Sequence, residues 1–139
     1  MPTAGYSGTP LARKLGLTPG MRLLLRGAPT EYAQWIAPAP DGLVFTTRAA
    51  HPAAAHLFVT DREALERQLR TLRRSLSDAG FVWVSWPKQS AKVPTTVTED
   101  VIRAIALPMG FVDIKVCAVS DVWSGLKLVI RTSERGAPR

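Results

Sequence analysis

The sequence predicts an α/β fold, a three-layer sandwich on a mostly parallel sheet of about six strands that ends in a C-terminal antiparallel hairpin. Three observations predict it. Apolar runs of strand length alternate with helical patterns, two of those helical patterns begin with capping residues, and two extended segments joined by a short turn close the chain. At 139 residues, 46% hydrophobic and 21% charged, the chain has the size and composition of one globular domain.

Short apolar runs bounded by turn residues predict the parallel strands. Each has the length of a strand and too few residues for a buried helix. Right-handed crossovers through the intervening helices would then make the strands parallel. The predicted strands are residues 21–26, 42–47, 55–60 and 81–86.

Capping patterns mark the helices. Thr9 and Pro10 are typical of an N-cap and a first helical position, with Gly16 as the stop, and residues 30–36 predict a second short helix. A capping box from Thr60 to Glu63 opens a leucine-lined helix that Gly80 closes. A second box, from Thr96 to Glu99, opens a helix whose last turn Pro108 must distort.

The C-terminal segment alternates with period two and then turns back. Val112, Ile114, Val116 and Ala118 are expected on one face, and the Ser-Asp turn leads into a returning strand. We expect a single domain over residues 1–131 and a frayed tail over residues 132–139.

Charge and composition limit the classes of partner. The net charge of +7 invites a nucleic-acid interpretation, but the basic residues are scattered along the chain, so we expect nucleic-acid binding to be absent. No signal sequence and no apolar run of membrane-spanning length is visible, and a single cysteine suits a reducing compartment. The expected location is the cytoplasm, with no membrane contact.

The phrase "LGLTPGMRLLLRGAP" resembles the first strand of class I methyltransferases, which carry a glycine-rich turn under S-adenosylmethionine. This resemblance implies a Rossmann-like strand order near 2-1-3-4-6-5, with one strand fewer than the full enzyme. The chemistry does not follow, because "RGAPTEY" supplies only Gly27 and the second strand ends in "FTT" rather than in an acid.

The segments "HLFVTDREALE", "WVSWPKQSAKV" and "WSGLKLVIR" resemble a bacterial family known as domain of unknown function 3052. The resemblance extends over essentially the whole chain. It implies a small cytosolic protein with a Rossmann-like fold and no activity that could be transferred to this chain.

Candidate binding residues follow from the carboxyl ends of the strands, where open α/β sheets bind ligands. A second candidate is the segment before the first helix, where backbone N–H groups could hold an anion. Each has a structural alternative, since an acid such as Asp61 suits a helix start, Thr9 suits a cap and loop lysines are often only solvated. The candidates are Ser7, Gly8, Thr9, Gly27, Thr60, Asp61, Ser85, Trp86, Lys88 and Lys92.

No catalytic constellation emerges from the sequence. His51 and His56 have no acid or cysteine at metal-ligand spacing, Cys117 lies inside a strand, and Ser85 lacks a nucleophile motif. We therefore expect a non-enzymatic domain, without cofactor or metal, that binds a small anionic ligand or a protein partner at the carboxyl edge of the sheet. The alternatives are a degenerate nucleotide- or S-adenosylmethionine-binding enzyme and, third, a nucleic-acid binder.

Overall fold

The computed structural model describes residues 9–48 and 50–136, which form one six-stranded sheet with helices on both faces. The strands are β1 (Arg22–Arg26), β2 (Val44–Thr46), β3 (Ala54–Phe58), β4 (Phe81–Pro87), β5 (Phe111–Ala118) and β6 (Trp123–Ile130). The helices are α1 (Leu11–Lys14), α2 (Tyr32–Trp35), α3 (Arg62–Ser75) and α4 (Glu99–Ala106). Single 3-10 turns occupy Gln89–Ala91, Leu107–Met109 and Thr132–Glu134.

The strand order is β2-β1-β3-β4-β6-β5. Strands β1 to β4 pair in parallel, whereas β6 runs antiparallel to both β4 and β5. The α/β fold and its strand order, with the antiparallel hairpin at the end, are therefore confirmed. The order reverses at β1, which lies between β2 and β3.

Two cores lie on opposite faces of the sheet. Leu24 of β1 belongs to the core under α3 and α4, and its neighbour Leu23 belongs to the core under α1 and α2. Trp83 and Trp86 of β4 separate in the same way, because side chains three apart on a strand point to opposite faces. We call these the α3/α4 face and the α1/α2 face.

The long helices begin later than their capping boxes predicted. Asp61 caps α3, its carboxylate accepting the N–H of Ala64 at 2.9 Å, and Thr98 caps α4 through its hydroxyl. The predicted caps Thr60 and Thr96 are therefore wrong. In place of a capping role, the Thr96 hydroxyl accepts the N–H of Arg62 at 2.8 Å and so ties the loop before α4 to the start of α3.

Other helix ends differ in detail. Pro10, not Thr9, is the N-cap residue of α1, and the proline supplies no side-chain capping bond. Helix α3 ends at Ser75 because Leu76 already has an extended backbone, so Gly80 does not close it. The distortion expected at Pro108 is confirmed, since the proline lies in a 3-10 turn that continues α4.

Two strands contradict the expected burial. Val44 and Phe45 of β2 are 50% and 42% exposed, because the described residues between β2 and β3 contain no helix to cover this edge strand. In β5 a bulge between Asp113 and Lys115 shifts the register, so Ile114 and Val116 are exposed and the expected continuous face is broken. One extra residue moves every later side chain to the other face.

Part of the predicted tail makes contacts in the structure. Glu134 forms a 3.2 Å salt bridge with Arg73 of α3, and the Gly136 N–H donates to Asp78 at 2.9 Å. The domain limits at residues 1–131 remain a prediction. Among the described helices, none has the length and apolar character needed to cross a membrane.

Candidate functional site

The strand order reverses beside a tight turn at Gly27. The residue has φ +73°, and a Cβ at this position would lie 2.6 Å from the carbonyl oxygen of Phe58, at the end of β3. Only glycine tolerates both the left-handed backbone and this backbone contact. Gly27 is thus explained by the close approach of β1 and β3, and the contact by itself indicates no ligand.

Beneath this turn, three polar side chains form a buried hydrogen-bonded chain. The hydroxyl of Tyr32 lies 2.9 Å from Nδ1 of His56, and Nε2 of His56 lies 2.7 Å from Oγ of Ser85. His56 is 1% exposed and Ser85 is fully buried. Helix α2 and strands β3 and β4 each contribute one member, so the chain joins three elements on the α1/α2 face.

Burial sets the protonation of this chain. It lowers the pKa of His56 to about 3, because a charged imidazole would lose its hydration, and it raises the pKa of Tyr32 for the corresponding reason. A neutral imidazole has one donor and one acceptor nitrogen, which matches one hydroxyl on each side. Tyr32, His56 and Ser85 therefore satisfy one another's hydrogen-bonding groups, and none of the three carries a charge.

A Ser–His pair at hydrogen-bond distance also occurs in hydrolytic sites, but this pair cannot act in that way. Both imidazole nitrogens are occupied by hydroxyl groups, the serine is inaccessible, and the low pKa of His56 makes it a weak base. Among the described residues there is also no cluster of three His, Cys, Asp or Glu side chains that could hold a metal. The hydrogen bonds of Tyr32, His56 and Ser85 instead hold α2, β3 and β4 together beneath the carboxyl edge of the sheet.

Aromatic rings cover the chain and reach the surface. We call Tyr32, Trp35, Phe45, Phe58 and Trp123 the aromatic shelf. The Tyr32 ring lies 5.8 Å from Phe45 and 5.6 Å from Phe58, and the Phe58 ring lies 6.4 Å from Trp35 and 5.1 Å from Trp123. Tyr32 and Phe58 are buried, whereas Phe45 is exposed and both indoles are partly exposed. The shelf thus presents a buried aromatic base flanked by rings that a ligand can reach.

The structure distributes the predicted site residues over several environments. The Thr60 carbonyl accepts hydrogen bonds from the Thr95 hydroxyl and the Thr96 N–H, and Asp61 caps α3. Ser7 and Gly8 lie outside the described residues, so their prediction stays open. Thr9 borders a cavity between α1 and β5. Gly27 and Ser85 lie at the carboxyl edge and beneath it.

Trp86, Lys88 and Lys92 do not join the shelf. Trp86, a candidate binding residue, is 8% exposed and packs in the core of the α3/α4 face, on the opposite side of the sheet from the shelf. The backbone N–H of Lys88 donates to the carbonyl of Val122, and Lys92 is exposed with φ +56°. The two lysines remain predictions as ligand-binding residues.

Sequence reasoning missed the polar chain and the shelf. A signal was present: His56 and Ser85 are the two polar residues at the centres of otherwise apolar strands, and the parallel register places Phe58 opposite Ser85. Alternation then puts His56 and Ser85 on the same face. The involvement of Tyr32 and Phe45 depends on how α2 packs, which residue spacing does not reveal.

Comparison with known proteins bears on the fold. A structure from Sulfolobus solfataricus, described as a type 11 methyltransferase, matches with a TM-score of 0.61 at 12% identity, over 91% of this chain and 93% of that one. A SAM-dependent methyltransferase from Aquifex aeolicus matches with a TM-score of 0.60 at 16% identity, over 86% and 87%. Fibrillarin, a pre-rRNA processing protein of Methanococcus jannaschii, matches with a TM-score of 0.53 at 11% identity, over 80% of this chain and 66% of fibrillarin. At these identities the likeness establishes the fold alone.

The comparisons correct two predictions. No protein-family model and no curated protein sequence matches the chain, so the resemblance to the domain of unknown function 3052 family is not supported. The prediction of a non-enzymatic domain is contradicted as well, because solved structures described as methyltransferases, among them the SAM-dependent one from Aquifex aeolicus, share this fold. They favour the alternative, a degenerate nucleotide- or S-adenosylmethionine-binding enzyme that is methyltransferase-like.

Proposed function

We propose that this chain is a methyltransferase-like protein that binds S-adenosylmethionine, or another adenosine-containing ligand, at the aromatic shelf. The observation that carries the proposal is the position of the shelf. It lies on the α1/α2 face where the strand order reverses, and that is where open α/β sheets bind their ligands. The expectation that no cofactor binds is replaced by this proposal.

The shelf fits an adenine ring better than it fits the rest of the cofactor. Trp35 and Trp123, whose rings lie 6.4 Å and 5.1 Å from the Phe58 ring, are partly exposed, and indole rings stack well on a flat, uncharged base. In contrast, Gly27 is the single glycine of its turn, and β2 ends in Thr46 and Thr47 without a carboxylate to receive the ribose hydroxyls. The proposal therefore concerns binding of the adenosine moiety.

S-adenosylmethionine, when bound, would supply a methyl group that a nucleophile can accept from the sulfonium centre, with S-adenosylhomocysteine as the leaving group. The aromatic shelf supplies the base-stacking surface. The neutral, hydrogen-bonded side chains of Tyr32, His56 and Ser85 beneath it add no charge that would repel the cationic sulfonium. Neither Ser85 nor His56 is accessible enough to exchange a proton with a substrate. The site can therefore position a ligand, but Tyr32, His56 and Ser85 supply no general base.

Calorimetric titration with S-adenosylmethionine, S-adenosylhomocysteine, adenosine and ATP tests the proposal. Base stacking contributes about 1–3 kcal/mol, so Trp35→Leu should weaken binding by roughly fivefold to 150-fold. Phe81→Leu is the matched control, since Phe81 is also a partly exposed aromatic residue but lies outside the shelf at the start of β4. Absence of binding for all four compounds, or equal weakening by both substitutions, would overturn the proposal.

A further inference from the structure

Four basic side chains meet on the α1/α2 face, away from the shelf. Arg13 and Lys14 form the end of α1, Lys115 lies on β5, and Lys127 lies on β6. We call them the basic cluster. Arg13, Lys14 and Lys115 line a cavity of about 520 Å³ between α1 and β5. The sequence separates these residues by up to 114 positions, so their convergence is a product of the fold.

The cluster holds like charges at close quarters. Lys115 and Lys127 are direct register partners across β5 and β6, an arrangement that is unfavourable for two like charges. The Lys115 ammonium donates to the carbonyl of Lys14 at 3.4 Å, so a third lysine is adjacent. Burial and then the charge of Lys115 lower the pKa of Lys127, whose ammonium lies 4.4 Å from the centre of the Phe81 ring.

Among the described residues, no acidic side chain forms a salt bridge with the basic cluster. Within residues 9–48 and 50–136, the salt bridges involve Arg70, Arg73 and Arg103 and none of the four cluster residues. The positions outside those ranges include no Asp or Glu. The carboxyl end of a helix supplies at most about half a negative charge, so about +3.5 of the four charges remains.

We propose that the basic cluster binds the phosphate backbone of a single-stranded nucleic acid. Phosphate contacts of Lys and Arg supply most of the affinity of such interfaces. The basic cluster is suited to them, because three of its cations line one cavity and the fourth, Lys127, lies directly across the sheet from Lys115. The expectation that nucleic acid does not bind was based on basic residues that are distributed along the sequence. In the folded chain, four of these basic residues lie close together. The inference is independent of the proposed adenosine site.

Fluorescence anisotropy with a labelled, short single-stranded RNA of mixed sequence tests the inference. If all four cations contact phosphates, the logarithm of the affinity should fall with the logarithm of salt with a slope near −2.8 between about 50 and 200 mM. Lys115→Ala with Lys127→Ala should reduce that slope to about −1.4 and weaken binding at least tenfold at low salt. The matched control is Arg62→Ala with Arg74→Ala, which removes the same charge from α3 on the other face and should change affinity less than twofold.

A further variant separates loss of binding from loss of fold. Lys115→Glu places an opposite charge across from Lys127, so it should preserve thermal stability while it weakens RNA binding at least as much as the double substitution. The inference is overturned if wild-type protein does not bind RNA at low salt, or if the α3 control weakens binding equally. It is also overturned if polyglutamate competes as effectively as unlabelled RNA, because an acidic protein would then be the better partner.

Discussion

Removal of the Ser85 hydroxyl tests the role of the buried polar chain. Ser85→Ala would leave Nε2 of His56 without a partner at a position that is 1% exposed. An unsatisfied buried polar group costs about 1–3 kcal/mol. With an unfolding entropy of about 2.1 cal/mol/K per residue, a domain of this length would lose roughly 3–10 °C in Tm.

A double-mutant cycle isolates the interaction. His56→Phe removes both ring nitrogens while it keeps a planar ring that can stack on Phe58, whose centre lies 4.5 Å away. In that background, Ser85→Ala should cost less than about 0.5 kcal/mol, because the hydroxyl no longer has its partner. Urea denaturation of the four proteins gives the coupling energy. A Ser85→Ala cost that is the same with and without His56 would refute the reasoning.

Two further predictions concern the same region. The free energy of unfolding should decrease as the pH falls below 6.5, because the unfolded chain then binds a proton that the native His56 imidazole, with a pKa of about 3, does not bind. From His56 alone the loss should be about 2 kcal/mol between pH 7.5 and 5. Urea titrations should show this part of the slope disappearing in His56→Phe, and an unchanged slope would contradict it. Gly27→Ala should destabilise by at least about 2 kcal/mol more than Gly20→Ala, because both residues have positive φ but only Gly27 has a backbone oxygen 2.6 Å from the added Cβ. Equal melting temperatures of the two variants would show that the contact with Phe58 relaxes at little cost.

The order of the elements could be predicted from the sequence because alternation, capping residues and glycine stops are local signals. The strand order followed from the resemblance to class I methyltransferases, and strand periodicity explains why Trp83 and Trp86 are buried on opposite faces. The bulge in β5 and the exposure of β2 did not follow. Both depend on what covers an edge strand, which is a tertiary property.

The candidate site was less predictable than the fold. The carboxyl ends of the strands directed attention to one edge of the sheet, but Asp61 is engaged in capping there and Trp86 lies in the core. The rings of the shelf come from α2, β2, β3 and β6, and only their packing brings them together. The basic cluster illustrates the same limit, since Lys14 and Lys127 become neighbours of Lys115 only in the folded chain.

The indole N–H resonances of the four tryptophans test the central claim most directly. Trp35 and Trp123 belong to the shelf, whereas Trp83 donates its indole N–H to the carbonyl of Leu15 in one core and Trp86 packs in the other. During NMR titration with S-adenosylhomocysteine, the resonances of Trp35 and Trp123 should shift together and saturate, while those of Trp83 and Trp86 change little. If the two shelf resonances stay unchanged at millimolar ligand, the aromatic shelf is not an adenosine site.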